Sequence, residues 1–101
     1  MATLELVRFR VAAERTEALL AARAAMVEEF RAHRPGFLRA RLVRMGADDW
    51  LDLVEWRSSA DLAASRARGG DTPGVQAFLD LIEEVVVDEK GEIAEVREPA
   101  G

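Results

Sequence analysis

Glu5 is the first residue of the sequence whose type and position could support acid–base chemistry. It alternates with Val7 and Phe9 in a strand-like stretch, so we expect the three side chains to share one sheet face. Burial raises the pKa of a carboxyl group and makes it a competent general base near neutral pH. Glu5 is therefore our first candidate for a catalytic base. An ion pair with an arginine of a neighbouring strand is the simpler explanation.

Asp52 and Glu55 interrupt a second strand-like stretch on opposite faces. Arginines interrupt the stretch before it in the same way, and opposite charges on adjacent strands commonly stabilise a sheet. Cross-strand ion pairing is thus the expected role of these residues. Arg41 has a functional alternative, because a guanidinium can bind an anionic group of a substrate through two parallel hydrogen bonds.

Two tryptophans and one histidine complete the candidates. Trp50 and Trp56 share a strand face, and either side chain suits a flat aromatic ligand or a protein interior. We expect Trp56 in the interior or at the ligand and Trp50 at a strand end. His33 is expected at a solvated helix end, where the helix dipole favours its charged form. The glycine-rich residues 69–74 lack the lysine of a nucleotide-binding loop, so they predict a connector or a mobile lid.

Composition excludes several classes of function. The sequence contains no cysteine, which rules out disulfides, thiolate metal sites and cysteine nucleophiles. The net charge is −5 and the acidic excess lies in the second half, which disfavours nucleic acid as a partner. No apolar run approaches the roughly 20 residues that cross a bilayer, and no secretory signal is evident. We expect a cytoplasmic protein with a single domain at residues 1–98 and a short tail at 99–101.

Hydrophobic periodicity and capping signals predict a split βαβ order. The predicted elements are a strand at 4–11, a helix at 14–33, strands at 37–45 and 50–57, a short helix at 58–66, a helix from 73 and a last strand at 92–97. Residues 85–87 either extend the last helix, which we favour, or form a strand that turns at Lys90 and Gly91. This order is that of the ferredoxin-like α+β fold, a four-stranded antiparallel sheet with its helices on one face.

The predicted strands carry large apolar side chains on both faces. Leu4, Leu6, Leu51 and Leu53 would face away from the helices if the alternate residues face them. A monomer rarely leaves so large an apolar surface in water. We therefore expect a homodimer in which the two sheets pack face to face.

The segments LELVRFRV, RPGF and VEWRSSADLAAS resemble the antibiotic biosynthesis monooxygenase family of dimeric α+β barrel proteins. The resemblance covers about residues 3–96 and implies one small-molecule pocket per protomer, between helices and sheet, with no cofactor and no metal. The substrate-binding residues expected in that pocket, from spacing and from the resemblance together, are Val7, Phe9, Met26, Phe30, Arg41, Trp56, Ser65 and Phe78.

The sequence departs from the residues for which the family is known. The oxygenases of this family are known for an Asn, a Trp and a Tyr in the pocket. Its haem-degrading members are known for an Asn, a Trp and a His. This chain contains no Asn and no Tyr; Val7 stands at the expected Asn position and Ser65 at the Trp position. His33 lies outside the helix expected to carry the haem ligand, so haem degradation is not expected.

The leading hypothesis is a cofactor-independent monooxygenase that acts on an aromatic or polyketide-like molecule. One alternative is a ligand-binding or assembly module on the same dimeric fold. Another is an isomerase or cyclase that uses Glu5 as its base and needs no oxygen.

Overall fold

The computed structural model describes residues 1–100 and contains one four-stranded sheet and three α-helices. The strand order β2-β3-β1-β4, with every neighbouring pair antiparallel, confirms the predicted ferredoxin-like α+β fold. A 3-10 turn at Ala13–Arg15 precedes the first helix. In chain order the elements are β1 Thr3–Arg10, α1 Thr16–His33, β2 Phe37–Arg44, β3 Asp49–Trp56, α2 Ser59–Arg68, α3 Pro73–Leu81 and β4 Glu84–Glu92.

Local sequence signals explain where α1 ends and where α2 begins. Pro35 follows the end of α1, and Gly36 then adopts φ 86°, a conformation that favours glycine. A Cβ atom at Gly36 would lie 2.4 Å from the side chain of Asp61, so this turn also needs glycine for space. Ser58 caps α2, because its Oγ accepts a hydrogen bond from the backbone N–H of Asp61 at 3.1 Å.

The favoured prediction for the C-terminal part was wrong, and the alternative of a strand at residues 85–87 is correct. Residues 85–87 do not extend the last helix, and 92–97 are not the final strand; β4 spans Glu84–Glu92 instead. It pairs with β1 at the edge of the sheet, and its register shifts between Arg8 and Phe9. This irregularity breaks the simple alternation that a sequence pattern detects, and an edge strand needs few buried residues.

The hydrophobic core lies between the helices and the inner face of the sheet. Trp56 is fully buried there, with its ring centroid 5.5 Å from that of Phe30 and 5.8 Å from that of Phe37. Trp50 lies at the beginning of β3, the strand-end position expected for it, where it is buried and the Arg44 guanidinium lies over its ring. No helix in the described residues is long and apolar enough to cross a membrane.

The outer face of the sheet has no helix over it. Alternation along the two central strands directs Leu4, Leu6, Leu51 and Leu53 to this face, because the residues between them face the core. Ion pairs border it: Arg8 with Asp49 at 2.6 Å, and Arg39 with Glu55 at 3.3 Å.

We propose that a second copy of the chain covers this outer face. An apolar centre with a charged border is typical of a homodimer interface, and two-fold dimers are the commonest soluble homo-oligomers.

Substitution Leu6→Glu is expected to convert a homodimer to a monomer, because it places a charge at the centre of the proposed interface. Light scattering should give the wild type twice the chain mass of 11.1 kDa and the variant 11.1 kDa. Leu20→Glu is the matched control, since Leu20 is exposed on α1 on the opposite side of the sheet, and it should remain dimeric. A monomeric wild type at low micromolar concentration would remove the proposal.

Candidate functional site

A cavity of about 270 Å³ lies between the three helices and the inner face of the sheet. Its lining is mostly apolar and includes five apolar residues that the sequence placed in a pocket: Val7, Phe9, Met26, Phe30 and Phe78. Six polar side chains interrupt this surface, namely Glu5, Arg34, Asp52, Ser65, Arg66 and Asp88. An apolar cavity with a few polar groups is the usual form of a small-molecule site.

Asp52 is the most deeply buried carboxylate of the cavity, with 8% of its surface exposed. β3 directs it inward between Trp50 and Val54, which are also buried. Its Oδ1 accepts a hydrogen bond of 2.7 Å from Nη2 of Arg23, which α1 brings down onto the sheet. The partner of Asp52 is thus a helical arginine, and the predicted cross-strand pairing of Asp52 was wrong. Glu55, on the outer face, does pair with Arg39 across the strands.

Burial raises the pKa of Asp52 to about 6, and the negative charge of Glu5 adds to this effect. Arg23 acts in the opposite direction, but its attraction does not offset the loss of hydration. Burial also lowers the pKa of Arg23, whose Nε and Nη1 have no hydrogen-bond partner among the described residues. Asp52 is therefore a stronger base than an exposed aspartate, and it is still mostly ionised at pH 7.

Glu5 lies on the same inner face, but both of its carboxylate oxygens are engaged. Nε1 of Trp56 donates to Oε1 at 3.1 Å, and Nε of Arg66 donates to Oε2 at 2.6 Å. The other two nitrogens of Arg66 donate to the two oxygens of Asp88, at 2.8 and 2.6 Å. One arginine of α2 thereby joins a carboxylate of β1 to a carboxylate of β4. Glu5 pairs with an arginine from a helix and not from a neighbouring strand.

The pairing with Asp88 raises the pKa of Arg66 above its ordinary value, and the hydrogen bonds from Arg66 lower the pKa of Asp88. Both groups are therefore ionised at neutral pH. Asp88, Glu5 and Asp52 stand on three adjacent strands of the inner face, with Arg66 and Arg23 above them. These five side chains form what we call the charged row of the cavity.

Glu29 of α1 and Arg34, which follows α1, fix the glycine-rich connector between α2 and α3. The Glu29 carboxylate accepts hydrogen bonds from Thr72 Oγ1 at 2.7 Å and from the backbone N–H groups of Gly74 and Val75 at 3.0 and 2.9 Å, which lowers its pKa. Thr72 itself makes no cap, so Glu29 caps α3 in its place. A Cβ atom at Gly74 would lie 2.6 Å from Glu29 Oε1. These bonds favour a fixed connector over the mobile lid.

Arg34 holds the other end of the same connector through hydrogen bonds. This buried residue ends α1, and its guanidinium donates to the carbonyl oxygen and Oγ of Ser65, to the carbonyl oxygen of Gly69 and to Asp71. The hydrogen bonds from Arg68 first, and from Arg34 in addition, lower the pKa of Asp71. Ser65 therefore lines the cavity as the partner of a buried cation.

Two of the predicted site residues lie outside the cavity lining. Arg41 is exposed on β2 and faces the outer side of the sheet, because its cross-strand partner is Leu53. Trp56 is enclosed in the core and reaches the site only through its hydrogen bond to Glu5.

Sequence reasoning missed Arg23, Arg34 and Arg66. The partners of Arg23 and Arg66 lie 29 and 61 positions away along the chain, so no local pattern signals them. The spacing of Arg23 to Leu19, Met26 and Phe30, all on the buried stripe of α1, is the one signal that marks an arginine directed inward. Within residues 1–100, no three acidic or histidine side chains are grouped as metal ligands would be.

A protein-family model and several solved structures are similar to this chain. The family model described as antibiotic biosynthesis monooxygenase matches residues 4–81. A comparison with curated protein sequences finds no match. Among solved structures, SnoaB, a cofactor-independent oxygenase from Streptomyces nogalater, is 25% identical, with 98% of each chain covered and a TM-score of 0.64.

Two further solved structures named for the same family show the same fold at lower identity. The one from Bordetella bronchiseptica is 13% identical, covers 93% of this chain and 98% of its own, and has a TM-score of 0.77. The one from Chloroflexus aurantiacus J-10-fl is 18% identical, covers 97% and 98%, and has a TM-score of 0.70.

The raised pKa of Asp52 predicts a specific dependence of stability on pH. The folded protein holds this proton more tightly than the unfolded chain, whose aspartate titrates near 3.8. The contribution of Asp52 is therefore most favourable below pH 4 and declines by about 3 kcal/mol as the pH rises to 6 and above.

Urea unfolding of the wild type and of Asp52→Asn across pH 4–7 should show this decline in the difference between their free energies of unfolding. The contributions of carboxyl groups that do not interact with Asp52 cancel in that difference. A difference that stays constant over the range would show that Asp52 has an ordinary pKa.

Proposed function

This chain belongs to the antibiotic biosynthesis monooxygenase family, and on that basis we propose that it is a cofactor-independent monooxygenase acting on a hydroxy-aromatic, polyketide-like molecule. The cavity beneath the helices is the proposed site, and Asp52 is the proposed base. SnoaB supports the reaction type, since this chain is similar to it over nearly the full length of both proteins.

The observation that carries the proposal is a buried carboxylate of raised pKa on the wall of an apolar cavity. Oxygen reacts directly with an organic molecule when that molecule becomes an electron-rich anion. A protein promotes this by removing a proton from the substrate in a site that excludes water. A base with a pKa of about 6 is available at neutral pH and is stronger than an ordinary aspartate.

The proposed reaction begins when Asp52 accepts the proton of a phenolic hydroxyl group. The resulting anion transfers one electron to O₂, and the substrate radical and superoxide combine into a peroxide anion at a ring carbon that bears hydrogen. Loss of water from this peroxide gives a carbonyl group and hence a quinone. The balance is one hydroxy-arene and one O₂ giving one quinone and one water, and the proton on Asp52 returns to the departing oxygen.

Two of the three carboxylates in the charged row, Glu5 and Asp52, have different proposed roles. Glu5 was the first candidate for the base, but Trp56 and Arg66 occupy both of its oxygens. We propose that Glu5 instead holds Arg66 in place and that its charge helps to raise the pKa of Asp52. Arg23 holds the Asp52 carboxylate through one oxygen, and the second oxygen makes no hydrogen bond within residues 1–100.

Asp52→Asn is expected to lower the rate of oxygen consumption with a polycyclic hydroxy-aromatic substrate by roughly 10²–10⁴-fold, the usual contribution of a general base. An oxygen electrode measures this rate. Asp49→Asn is the matched control, because Asp49 lies on the same strand, pairs with Arg8 and does not line the cavity. The double variant Arg23→Met, Asp52→Asn removes both charges and serves if the single variant leaves an unpaired buried cation that prevents folding.

Turnover of the aromatic substrate without oxygen consumption would favour the isomerase or cyclase alternative. Binding without turnover of any substrate would favour the ligand-binding module. Undiminished oxygen consumption in a folded Asp52→Asn protein would remove Asp52 as the base.

The Glu5→Gln variant tests whether Asp52 or Glu5 accepts the proton, because the two possibilities predict different pH profiles of the rate. Removal of the Glu5 charge lowers the pKa of Asp52, so the rise in rate that we expect for the wild type near pH 6 should move to lower pH in the variant. The pH profile of kcat/KM is the measurement. A Glu5→Gln protein that is folded but inactive at every pH would assign the proton transfer to Glu5.

A further inference from the structure

Arg34 is a buried cation whose hydrogen-bonding capacity is almost completely used. Only 7% of the residue is exposed, yet it lines the cavity. A guanidinium has five N–H donors. Four of them are engaged: Nη1 donates to the carbonyl oxygen and Oγ of Ser65 at 2.9 and 2.7 Å, and Nη2 donates to the carbonyl oxygen of Gly69 at 2.6 Å and to Asp71 at 2.9 Å.

The remaining donor is the Nε–H, for which no residue in 1–100 provides an acceptor. Unlike Nε of Arg23, this atom is not sealed among buried atoms of the protein. An accessible donor in a residue that lines a cavity forms its hydrogen bond with water or with a ligand. The free Nε–H is therefore available to an acceptor from outside the protein.

The surroundings of Arg34 prevent the guanidinium from turning away. Its central carbon lies 4.8 Å from the centre of the Phe30 ring, which is also part of the cavity wall. The cation–π contact and the four hydrogen bonds together hold the guanidinium in place. A donor held in this way needs no reorganisation when a ligand arrives.

We propose that Arg34 binds an oxygen of the substrate, a carbonyl or phenolate group on the aromatic ring system, through its Nε–H. The inference rests on the proposed function, because it concerns the same cavity, and it narrows the substrate to aromatics that carry an acceptor oxygen in addition to the hydroxyl group deprotonated by Asp52. Once that proton has moved, Arg34 places a fixed positive charge next to the substrate anion.

Binding of two probes of nearly the same shape tests the assignment without any turnover. 1-Tetralone carries a carbonyl oxygen that tetralin lacks, and neither compound has an ionisable hydroxyl group. Because one hydrogen bond to a charged donor separates them, the wild type is expected to bind the ketone roughly 10- to 100-fold more tightly. Isothermal titration calorimetry or NMR titration measures both dissociation constants.

Arg34→Met is expected to abolish the preference for the ketone while the affinity for tetralin changes little. A merely structural role would weaken both probes together. Arg68→Met is the matched control, because Arg68 holds the same connector through Asp71 and the carbonyl oxygen of His33 but does not line the cavity. It should keep the ketone preference of the wild type.

The Nε–H resonance of Arg34 in the wild type provides a second test that needs no variant, should Arg34→Met fail to fold. The ketone should shift this resonance and tetralin should not. A ketone that binds no better than tetralin, or one that leaves the resonance unchanged, would overturn the assignment. Oxygen consumption dependent on Asp52 would be unaffected by that result, so a failure here is distinguishable from a failure of the proposed function.

Discussion

The ion pair between Asp52 and Arg23 is the interaction on which the account of this protein depends. It places two opposite charges between a sheet and a helix, where hydration is lost by both. Replacing such a pair with apolar side chains is often neutral or stabilising, so the fold does not require it. A chain with a third of its residues charged has many acids to place at the surface. The position of this ion pair at the wall of a cavity therefore indicates a role in the reaction.

The rest of the structure positions that pair and the cavity beside it. The sheet directs Asp88, Glu5 and Asp52 to one face from three adjacent strands, and the helices bring arginines above them. Two further tethers, Glu29 and Arg34, hold α3 and its connector against α1. The helical wall of the cavity is thus fixed by polar bonds as well as by apolar contact.

Much of this fold follows from local patterns in the sequence. The periodicity of α1, the turn before β3, and Ser58 as the cap of α2 each depend on residues close together in the chain, and the structure has all three. β4 was missed because its stabilisation comes from pairing with β1, some eighty residues earlier, and its register is irregular. The polar site was predictable only in part. Alternation alone places Glu5 and Asp52 on one face, but the arginines that set their properties come from distant helices and become visible only once the chain is folded.

The most direct test of the central claim is the titration of Asp52 itself. Its side-chain carboxyl carbon can be followed by ¹³C NMR from pH 3 to pH 8 in the wild-type protein. The account predicts a midpoint of about 6, because burial and the charge of Glu5 outweigh the attraction of Arg23. A midpoint at or below the ordinary aspartate value of 3.8 would show that the ion pair prevails over burial, and Asp52 would then be a structural partner of Arg23 and not a base.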